Sequence, residues 1–518
     1  MNGVLTALPV PSSLAARVRA TIAASVPAAV VVGVAIGAGA WAAGLLLQRT
    51  AGLATPAYDL AFFQQIVWHL GVDGRWESSF HEGSFLGLHF SPILLVPAAI
   101  ERLVGPDARI LNVFHAASVA ALGPATFLLA GAVLRPSRFG RLVAAGLAVA
   151  VPLSAAMQEV VRADFHPEAA GVVLALLAGW AGLTGRGRTM WVLVAAALVS
   201  REDVAYAVLV VGLLVAARGR GNVRRHGLGV AGIAVAWAAI VFLVAMPLLR
   251  DGAFVDTHRY YRWLGSGPAV LLAPFTRTDA VLEAINRPAS WFLVGGMVLT
   301  FAALPVLRPR WLLLAAPPLA AVLLSAHPPQ ATLQLQYPLI LVAPLTVAGL
   351  LGARRGLALT MLARRRFARG RRFVRPAVGR RALPAVLAVG LALPAVAVAF
   401  AQGALPPIDH AQDALFSRAP AIDQVRAVAA QVPAGATLAV DGGLAAPLAQ
   451  RTSLHVLTRT MPSARTYVLI DRAAWFPSGA AKQKRDRFVA AAQAAPRPII
   501  ADDGRFLLLG PEPGAGTH

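Results

Sequence analysis

Side chains able to do acid–base or phosphate chemistry fall in four short polar stretches between long apolar runs. The candidates are Asp59, His89, Asp164, His166, Glu168, Arg201, Glu202 and Asp203. A partly desolvated carboxylate can accept a proton from a hydroxyl group, and a guanidinium group can bind a phosphate. Charges that interrupt an apolar hairpin, as in "SREDVAY" (200–206), are costly in a membrane and therefore mark a candidate site.

Asp59 opens "DLAFFQQIVWHL", whose apolar residues fall on one stripe of a helix together with Asp59 itself. Two interpretations stay open at this point. Asp59 could cap the helix, its oxygen accepting backbone N–H groups of the first turn. Alternatively, it could face a cavity between this surface helix and the membrane bundle and accept a proton there.

The stretch "EVVRADFHPEAA" (159–170) brings Asp164, His166 and Glu168 into one loop. Histidine beside carboxylates suits proton transfer or metal binding, but the spacing is not diagnostic of any metal. No cofactor is established by the sequence, and a divalent metal remains compatible with it. His89, before a proline-containing apolar segment, is typical of an interfacial residue.

Aromatic and basic residues alternate in "DTHRYYRWLGSGP" (256–268). The candidates for ligand binding there are His258, Arg259, Tyr260 and Arg262. Rings can stack on sugars and guanidinium groups can bind phosphate. The same composition is typical of an aromatic belt at the headgroup level, and the sequence slightly favours this interpretation over ligand binding. Polar groups including Gln336 and Tyr337 lie at the top of two further spans.

The elements that must position these residues are membrane helices. Of the 518 residues, 57% are hydrophobic and 14% are charged, and apolar runs of about 18 to 25 residues recur, the length that spans a bilayer. The fold class expected is a polytopic α-helical membrane protein with about eleven transmembrane helices. The expected spans are 22–47, 110–134, 142–158, 168–184, 189–200, 204–217, 228–249, 290–307, 311–325, 337–352 and 384–401.

The net charge of +23 comes from arginines clustered between apolar runs. This pattern indicates orientation in the membrane, with basic loops in the cytoplasm and contacting anionic lipids, and argues against nucleic acid as a partner. The N-terminus is then cytoplasmic, and the polar stretches share the outer side of a bacterial plasma membrane. The absence of cysteine excludes disulfides and thiolate catalysis.

Two domains are expected. Residues 1–402 form the multi-pass membrane domain, with a large first outer loop (48–109), a short juxtamembrane or re-entrant piece at 89–104, and a basic cytoplasmic loop (353–383). Residues 403–518 alternate strand-like runs such as "TYVLID" with helical runs, which indicates a small extracytoplasmic α/β domain. Without a glycine-rich phosphate loop, this domain favours a recognition or stabilising role.

The motifs "YDLAFFQQIVWHL", "GLHFSPILLVP", "RADFHPE", "SREDVAY" and "APLAQRTSLHVL…YVLIDR" resemble those of a bacterial family of polytopic membrane proteins of unknown function. The organisation of that family is similar to that of the GT-C glycosyltransferases, which transfer a sugar from a polyprenyl-phosphate carrier to an acceptor at the outer face. The resemblance implies that Asp59 occupies the position of the acid that serves as base or metal contact in the first outer loop. The doubled acid common at the end of that loop is absent here.

The expected function is therefore that of a membrane glycosyltransferase-like protein. A polyprenyl-phosphate-linked sugar would be the donor and an envelope glycan or lipid the acceptor. Asp59 would deprotonate the acceptor, and Arg201, with Arg259 or Arg262, would neutralise the phosphate that leaves. Two alternatives stay open: a transporter or lipid-carrier flippase, which the one-sided charge distribution disfavours, and a non-catalytic envelope scaffold.

Overall fold

The computed structural model describes residues 14–55, 59–134, 137–250, 256–265, 269–332, 334–370, 379–401, 418–476 and 479–514. Within these ranges the membrane part is helical. Its α-helices of eight or more residues are Leu14–Ala51, Asp59–Val72, Leu95–Val104, Ala108–Val133, Arg138–Leu153, Ala155–Arg162, Glu168–Leu183, Gly187–Leu198, Val204–Arg218, Asn222–Ile240, Ala269–Thr276, Thr278–Ile285, Pro288–Thr300, Ala316–Leu323, Leu339–Gly370 and Gly379–Ala401.

Apolar helices long enough to cross a membrane confirm the polytopic helical class. Among the described residues, five helical segments are long and apolar enough to span, and six shorter apolar helices accompany them. The count of eleven spans stays a prediction. The helix Leu339–Gly370 continues into the segment expected to be the basic loop 353–383. Residues 353–370 of that segment are therefore helical. Their many arginines are compatible with a helix because arginine is a good helix former.

Close packing joins the helix Glu168–Leu183 to the helix Val204–Arg218, which follows the polar turn 201–203. A Cβ atom on Gly171 would lie 2.7 Å from Val204 Cγ2, and one on Gly179 would lie 2.8 Å from Val211 Cγ1. Glycine at these two positions lets the helix Glu168–Leu183 approach the helix Val204–Arg218 closely, as small residues do between membrane helices. Glu168 and the 201–203 turn are thereby held side by side.

The C-terminal part contains the expected α/β domain, here named the C-terminal domain (residues 418–514). Its strands are β1 (Leu438–Val440), β2 (Leu454–Val456), β3 (Tyr467–Asp471), β4 (Ile499–Asp502) and β5 (Phe506–Leu509). The strand order is β2-β1-β3-β5-β4; β1 pairs in parallel with β2 and β3, whereas β5 pairs antiparallel with β3 and β4. Helices Ile422–Ala429 and Gly479–Ala494 accompany the sheet. The expected boundary at residue 403 lies outside the described residues.

The first outer loop and the C-terminal domain share one hydrophobic core. Buried residues of the loop, including Phe62, Ile66 and Phe85, belong to the same cluster as Val440 and Phe506 of the sheet. Burial of apolar surface is the main stabilising term in folding. The C-terminal domain is therefore packed on the loop that carries Asp59.

Candidate functional site

Asp59 is the first residue of the helix Asp59–Val72, which is named the Asp59 helix below. The expected apolar stripe is buried: Phe62, Phe63 and Ile66 are each at most 5% exposed. The ring of Phe63 packs edge-on against Phe165, with centroids 5.1 Å apart. This contact brings the start of the helix to the loop that contains Asp164 and His166.

Asp164 is completely buried and is held in a left-handed backbone conformation, with φ of 64°. Asp tolerates this conformation better than most residues, although a buried instance is uncommon. The Arg49 guanidinium lies 3.4 Å from its carboxylate and also donates a hydrogen bond of 3.0 Å to the carbonyl of Arg162. Sequence reasoning missed Arg49. The expected topology places Arg49 at the outer end of the first span, where the positive-inside pattern disfavours arginine, and this departure is the signal that could have found it.

His166 lies among buried rings. Its backbone N–H donates to His115 Nδ1 at 3.3 Å, and the Nε2 atom of His115 bonds to the carbonyl of Val160 at 3.0 Å. Burial, followed by the charge of Arg201, lowers the pKa of His166 well below its usual value. His166 is therefore neutral at physiological pH and stabilises the loop rather than carrying charge.

Arg201 is surrounded by carboxylates. It forms an ion pair with Glu168, and its Nε lies 3.6 Å from Glu202 and 3.8 Å from Asp203. Burial raises the pKa of the part-buried Asp203 to about 7, although Arg201 opposes the shift. Three acids thus compete for a single guanidinium group.

Glu202 links two of the sequence motifs. One of its oxygens lies 2.9 Å from His89 Nδ1, and the other accepts the backbone N–H of Phe90 at 2.9 Å. Burial alone would raise the pKa of Glu202, but His89 and then Arg201 bring it down to about 2. The contacts of Glu202 with His89 and Phe90 therefore hold the segment around residue 89 against the turn 201–203.

A cavity of about 180 Å³ opens beside Arg201. Its polar wall consists of Glu168, Arg201, Asp203, Tyr261, Gln330, Gln336 and Tyr337. Its apolar wall consists of Val172, Val204, Ala207, Ala321, Val322, Leu339 and Ile340. Of the predicted site residues within the described part of the chain, Glu168, Arg201 and Asp203 line it. Sequence reasoning missed Gln330, and it named Tyr261 within the aromatic stretch without choosing it as a site residue.

The predicted aromatic stretch forms a 3-10 helix, Asp256–Leu264. Tyr260 packs on His327, with ring centroids 5.1 Å apart, and Arg262 is exposed. Tyr261 points to the cavity, and its hydroxyl donates to the carbonyl of Ala321 at 2.6 Å. The side chains of His258 and Arg259 lie outside the described residues.

Asp59 is part-buried and lies within electrostatic reach of both the loop and the hairpin. Burial raises the pKa of Asp59 to about 7, and the carboxylates of Asp164 and Glu168 add to the rise, whereas Arg459 and Arg201 oppose it. A carboxyl group with a pKa near neutrality can exchange a proton at physiological pH.

These carboxylates and the two arginines between them form the acidic cluster. Its members are Asp59, Asp164, Glu168, Glu202, Asp203, Arg49 and Arg201. Within the described structure, several of its buried atoms have no hydrogen-bond partner: Asp164 Oδ1, Glu168 Oε2, Asp203 Oδ1 and Nε of Arg49 and of Arg201. Such atoms can bind a polar ligand. No group of three or more His, Cys, Asp or Glu among the described residues is arranged to hold a metal ion.

The sequence and structure were compared with known proteins. The family model described as "Predicted membrane protein (DUF2079)" matches residues 49–494. No curated protein has a significantly similar sequence. Crystal structures of ArnT from Cupriavidus metallidurans, one bound to undecaprenyl phosphate and one in the apo state, are 13% and 14% identical to this chain, with TM-scores of 0.46 and 0.45. Each similarity covers 90% of this chain and 96% of ArnT. At these values neither structure identifies the ligand of this chain.

Proposed function

Starting from the fact that this chain belongs to the DUF2079 family of predicted membrane proteins, we propose that it is a membrane glycosyltransferase. The donor is a sugar linked to a polyprenyl phosphate, and the acceptor is a glycan or lipid of the cell envelope. Transfer takes place on the outer face, to which the acidic cluster and the C-terminal domain are assigned, with the N-terminus in the cytoplasm. The basic segments between the spans support this orientation.

The observation that carries the proposal is the position of Asp59. It opens the outer helix beside two buried acids, is part-exposed, and has a pKa of about 7. In the proposed step the acceptor oxygen forms a bond to the anomeric carbon of the sugar. The bond from that carbon to the phosphate oxygen breaks, and its electron pair leaves with the phosphate. Asp59 takes the proton of the acceptor hydroxyl.

The cavity beside Arg201 is suited to an amphipathic ligand. Its lining combines polar groups, such as those of Arg201 and Tyr337, with apolar residues such as Val172 and Leu339. Arg201 is the cation that a phosphate in this cavity would meet. Because phosphate is already a good leaving group, the protein needs mainly to position the acceptor and to stabilise charge.

Substitution of Asp59 tests the proposal. In cells that lack the gene, the wild-type gene should restore an envelope glycan product, and Asp59→Asn should lower transfer about 10²- to 10⁴-fold, the usual contribution of a general base. The measurement is the amount of product and of unused lipid-linked sugar by mass spectrometry. Asp73→Asn is the matched control, because Asp73 lies on the same outer loop but pairs with Arg75 at the surface.

Equal product from Asp59→Asn and wild type, at equal protein level, would remove Asp59 from the reaction. A gene deletion that redistributes the lipid carrier across the membrane, with every glycan still formed, would favour the flippase alternative. A deletion that changes neither glycans nor carrier would favour a scaffold.

A further inference from the structure

The C-terminal domain docks through the edge of its sheet at which the parallel strands end. The single helical turn Gly442–Ala445, directly after β1, lies against the chain that leads to Asp59. A Cβ atom on Gly443 would lie 1.9 Å from the carbonyl oxygen of Leu53. The backbone N–H of Ala421 also donates to the carbonyl of Ala51 at 3.0 Å. In parallel α/β sheets this edge is the usual ligand side, so it faces the site in this protein.

Polar contacts fix the same domain to the Asp59 helix. Gln65 is completely buried, and its Nε2 donates to the carbonyl of Arg451 at 2.5 Å, while its Oε1 accepts from Ser78 Oγ at 2.6 Å. The hydroxyl of Ser79 donates to the carbonyl of Leu454 at 2.7 Å and accepts its N–H at 3.0 Å. The helix that begins at Asp59 and the edge strand β2 are therefore held in one arrangement.

Arg459 lies in the turn that follows β2. Its backbone N–H donates to the carbonyl of Val456, the last residue of the strand, at 2.8 Å, and its side chain is exposed. Of the cations that act on Asp59, Arg459 has the larger effect and Arg201 the smaller. The positive charge of Arg459, an exposed residue of the C-terminal domain, therefore reaches Asp59.

The acidic cluster would require a further positive charge in order to bind a phosphate. Arg201 faces three carboxylates, and Arg49 is paired with Asp164. A phosphate that enters beside these acids is repelled unless another cation compensates, because opposite charges at close range offset the repulsion. Arg459 is placed to supply that positive charge from the solvent side.

We propose that the C-terminal domain completes the transfer site and that Arg459 binds the phosphate group of the carrier at the outer entrance. This inference rests on the proposed function, which it extends by assigning a phosphate contact to the second domain. It also gives the packing of the two domains a role in the reaction, because the Gln65 contacts set the distance between Asp59 and Arg459.

Binding of undecaprenyl phosphate to the full chain in phosphatidylcholine nanodiscs tests this role. We expect R459Q to weaken binding about tenfold, which corresponds to the loss of one charge-assisted hydrogen bond. R459K should recover much of the affinity because it restores the charge. R487Q is the matched control: Arg487 is also exposed in the C-terminal domain but lies on the helix Gly479–Ala494.

A second measurement does not depend on the carrier. A hydrophobic carbodiimide labels protonated carboxyl groups, so the pH midpoint of labelling at Asp59 reports its protonation. Removing a nearby cation disfavours the carboxylate, and R459Q should therefore move the midpoint to higher pH, whereas R487Q should not. A purely structural role of Arg459 would not move it.

The outcomes separate the two hypotheses. If the unsubstituted chain does not bind undecaprenyl phosphate saturably, the carrier and the assignment of Arg459 to it both fall. If it binds, and R459Q has the same affinity and the same labelling midpoint, the Arg459 assignment alone is overturned. An affinity loss that appears only in phosphatidylglycerol nanodiscs would show that Arg459 contacts bulk anionic lipid, and would also overturn the assignment.

Discussion

The acidic cluster and an ion network in the C-terminal domain use the same residue types in opposite ways. The network consists of Asp441, Asp471, Arg485 and Arg505. Asp441 accepts two hydrogen bonds from Arg485 at 2.8 Å and the backbone N–H of Asp471 at 2.8 Å. Asp471 accepts bonds from Arg505 at 3.1 and 3.2 Å and from the backbone N–H of Ala473 at 2.9 Å.

The acidic cluster leaves its charges incompletely paired. Asp164 Oδ1, Glu168 Oε2 and Asp203 Oδ1 are buried without a hydrogen-bond partner in the described structure. Buried polar groups are nearly always bonded, and groups left unpaired need a physical explanation. Complete pairing is expected of a carboxylate that stabilises the fold, and the proposed function requires carboxylates whose pairing leaves room for a ligand, as in the acidic cluster.

The largest effect on stability is expected from breaking the complete network. Arg485→Met leaves the carboxylate of Asp441, which is 1% exposed, without its main partner. Removing one member of a buried ion pair typically costs about 3–5 kcal/mol. The loss of stability is measured by heating the full chain and monitoring its unfolding through the proteolytic cleavage of the C-terminal domain.

Lys482→Met is the matched control for that prediction. Lys482 lies on the same helix and pairs with Asp486, but its side chain is 61% exposed, so its loss should change stability by less than about 1 kcal/mol. Equal unfolding temperatures for the two variants would contradict the structural role of the network.

Asp164→Asn should instead stabilise the folded protein. Burial raises the pKa of Asp164 to about 6, so its charged form is disfavoured in the folded protein. Asn tolerates the left-handed conformation at this position and carries no charge. The free energy of unfolding at pH 7 should therefore rise by roughly 1–2 kcal/mol, less than the full cost of the charge because Arg49 loses its partner.

The pH dependence checks the sign of this effect. Asp59, Asp164 and Asp203 all have folded-state pKa values raised above the ordinary value of 3.8. Between about pH 4 and 7 these three carboxyl groups bind more protons in the folded protein than in the unfolded chain, so their contribution to stability falls as the pH rises through this range. Asp164→Asn should flatten the fall between pH 4 and 6.

Asp73→Asn separates the acidic cluster from ordinary surface acids. The Arg75 side chain holds the pKa of Asp73 at about 2, so Asp73 titrates below this window. Its substitution should leave the slope above pH 4 unchanged. An Asp164→Asn variant whose stability has the same slope between pH 4 and 6 as the wild type would mean that Asp164 is ion-paired like the acids of the network.

Much of the fold could be predicted from the sequence, because spans and strands are local patterns. The runs around residues 110–134 and 228–249, and the buried stripe from Phe62 to Val67, follow from hydrophobicity and helical period alone. The C-terminal α/β domain was predicted from its alternation of helices and strands. The docking of that domain on the outer loop was not, since Gln65 and Arg451 are 386 residues apart.

The candidate site could be predicted as a set of residues but not as a set of pairs. Glu202 meets His89 across 113 residues, and Arg49 meets Asp164 across 115. Which carboxylate oxygens are bonded and which are not depends on these tertiary contacts. Two local signals were available: an arginine at the outer end of a span, and two glutamines, Gln64 and Gln65, inside an apolar stripe.

Glu202 gives the smallest effect and the sharpest test of the comparison, because it lies in the acidic cluster but is bonded like the network. Both of its oxygens have partners, His89 and the Phe90 N–H. Glu202→Gln keeps an acceptor for Phe90 and loses the charge of the contacts with His89 and Arg201, so it should lower the free energy of unfolding by about 1 kcal/mol. Glu202→Ala should cost about 2–3 kcal/mol, since the buried N–H of Phe90 is then unpaired.

If pairing rather than location decides the role of a carboxylate, Glu202→Gln will leave the pH profile of transfer unchanged while Asp59→Asn abolishes transfer. A shifted profile in Glu202→Gln would instead mean that the acids of the cluster titrate as one unit, and location would then be the better guide to function.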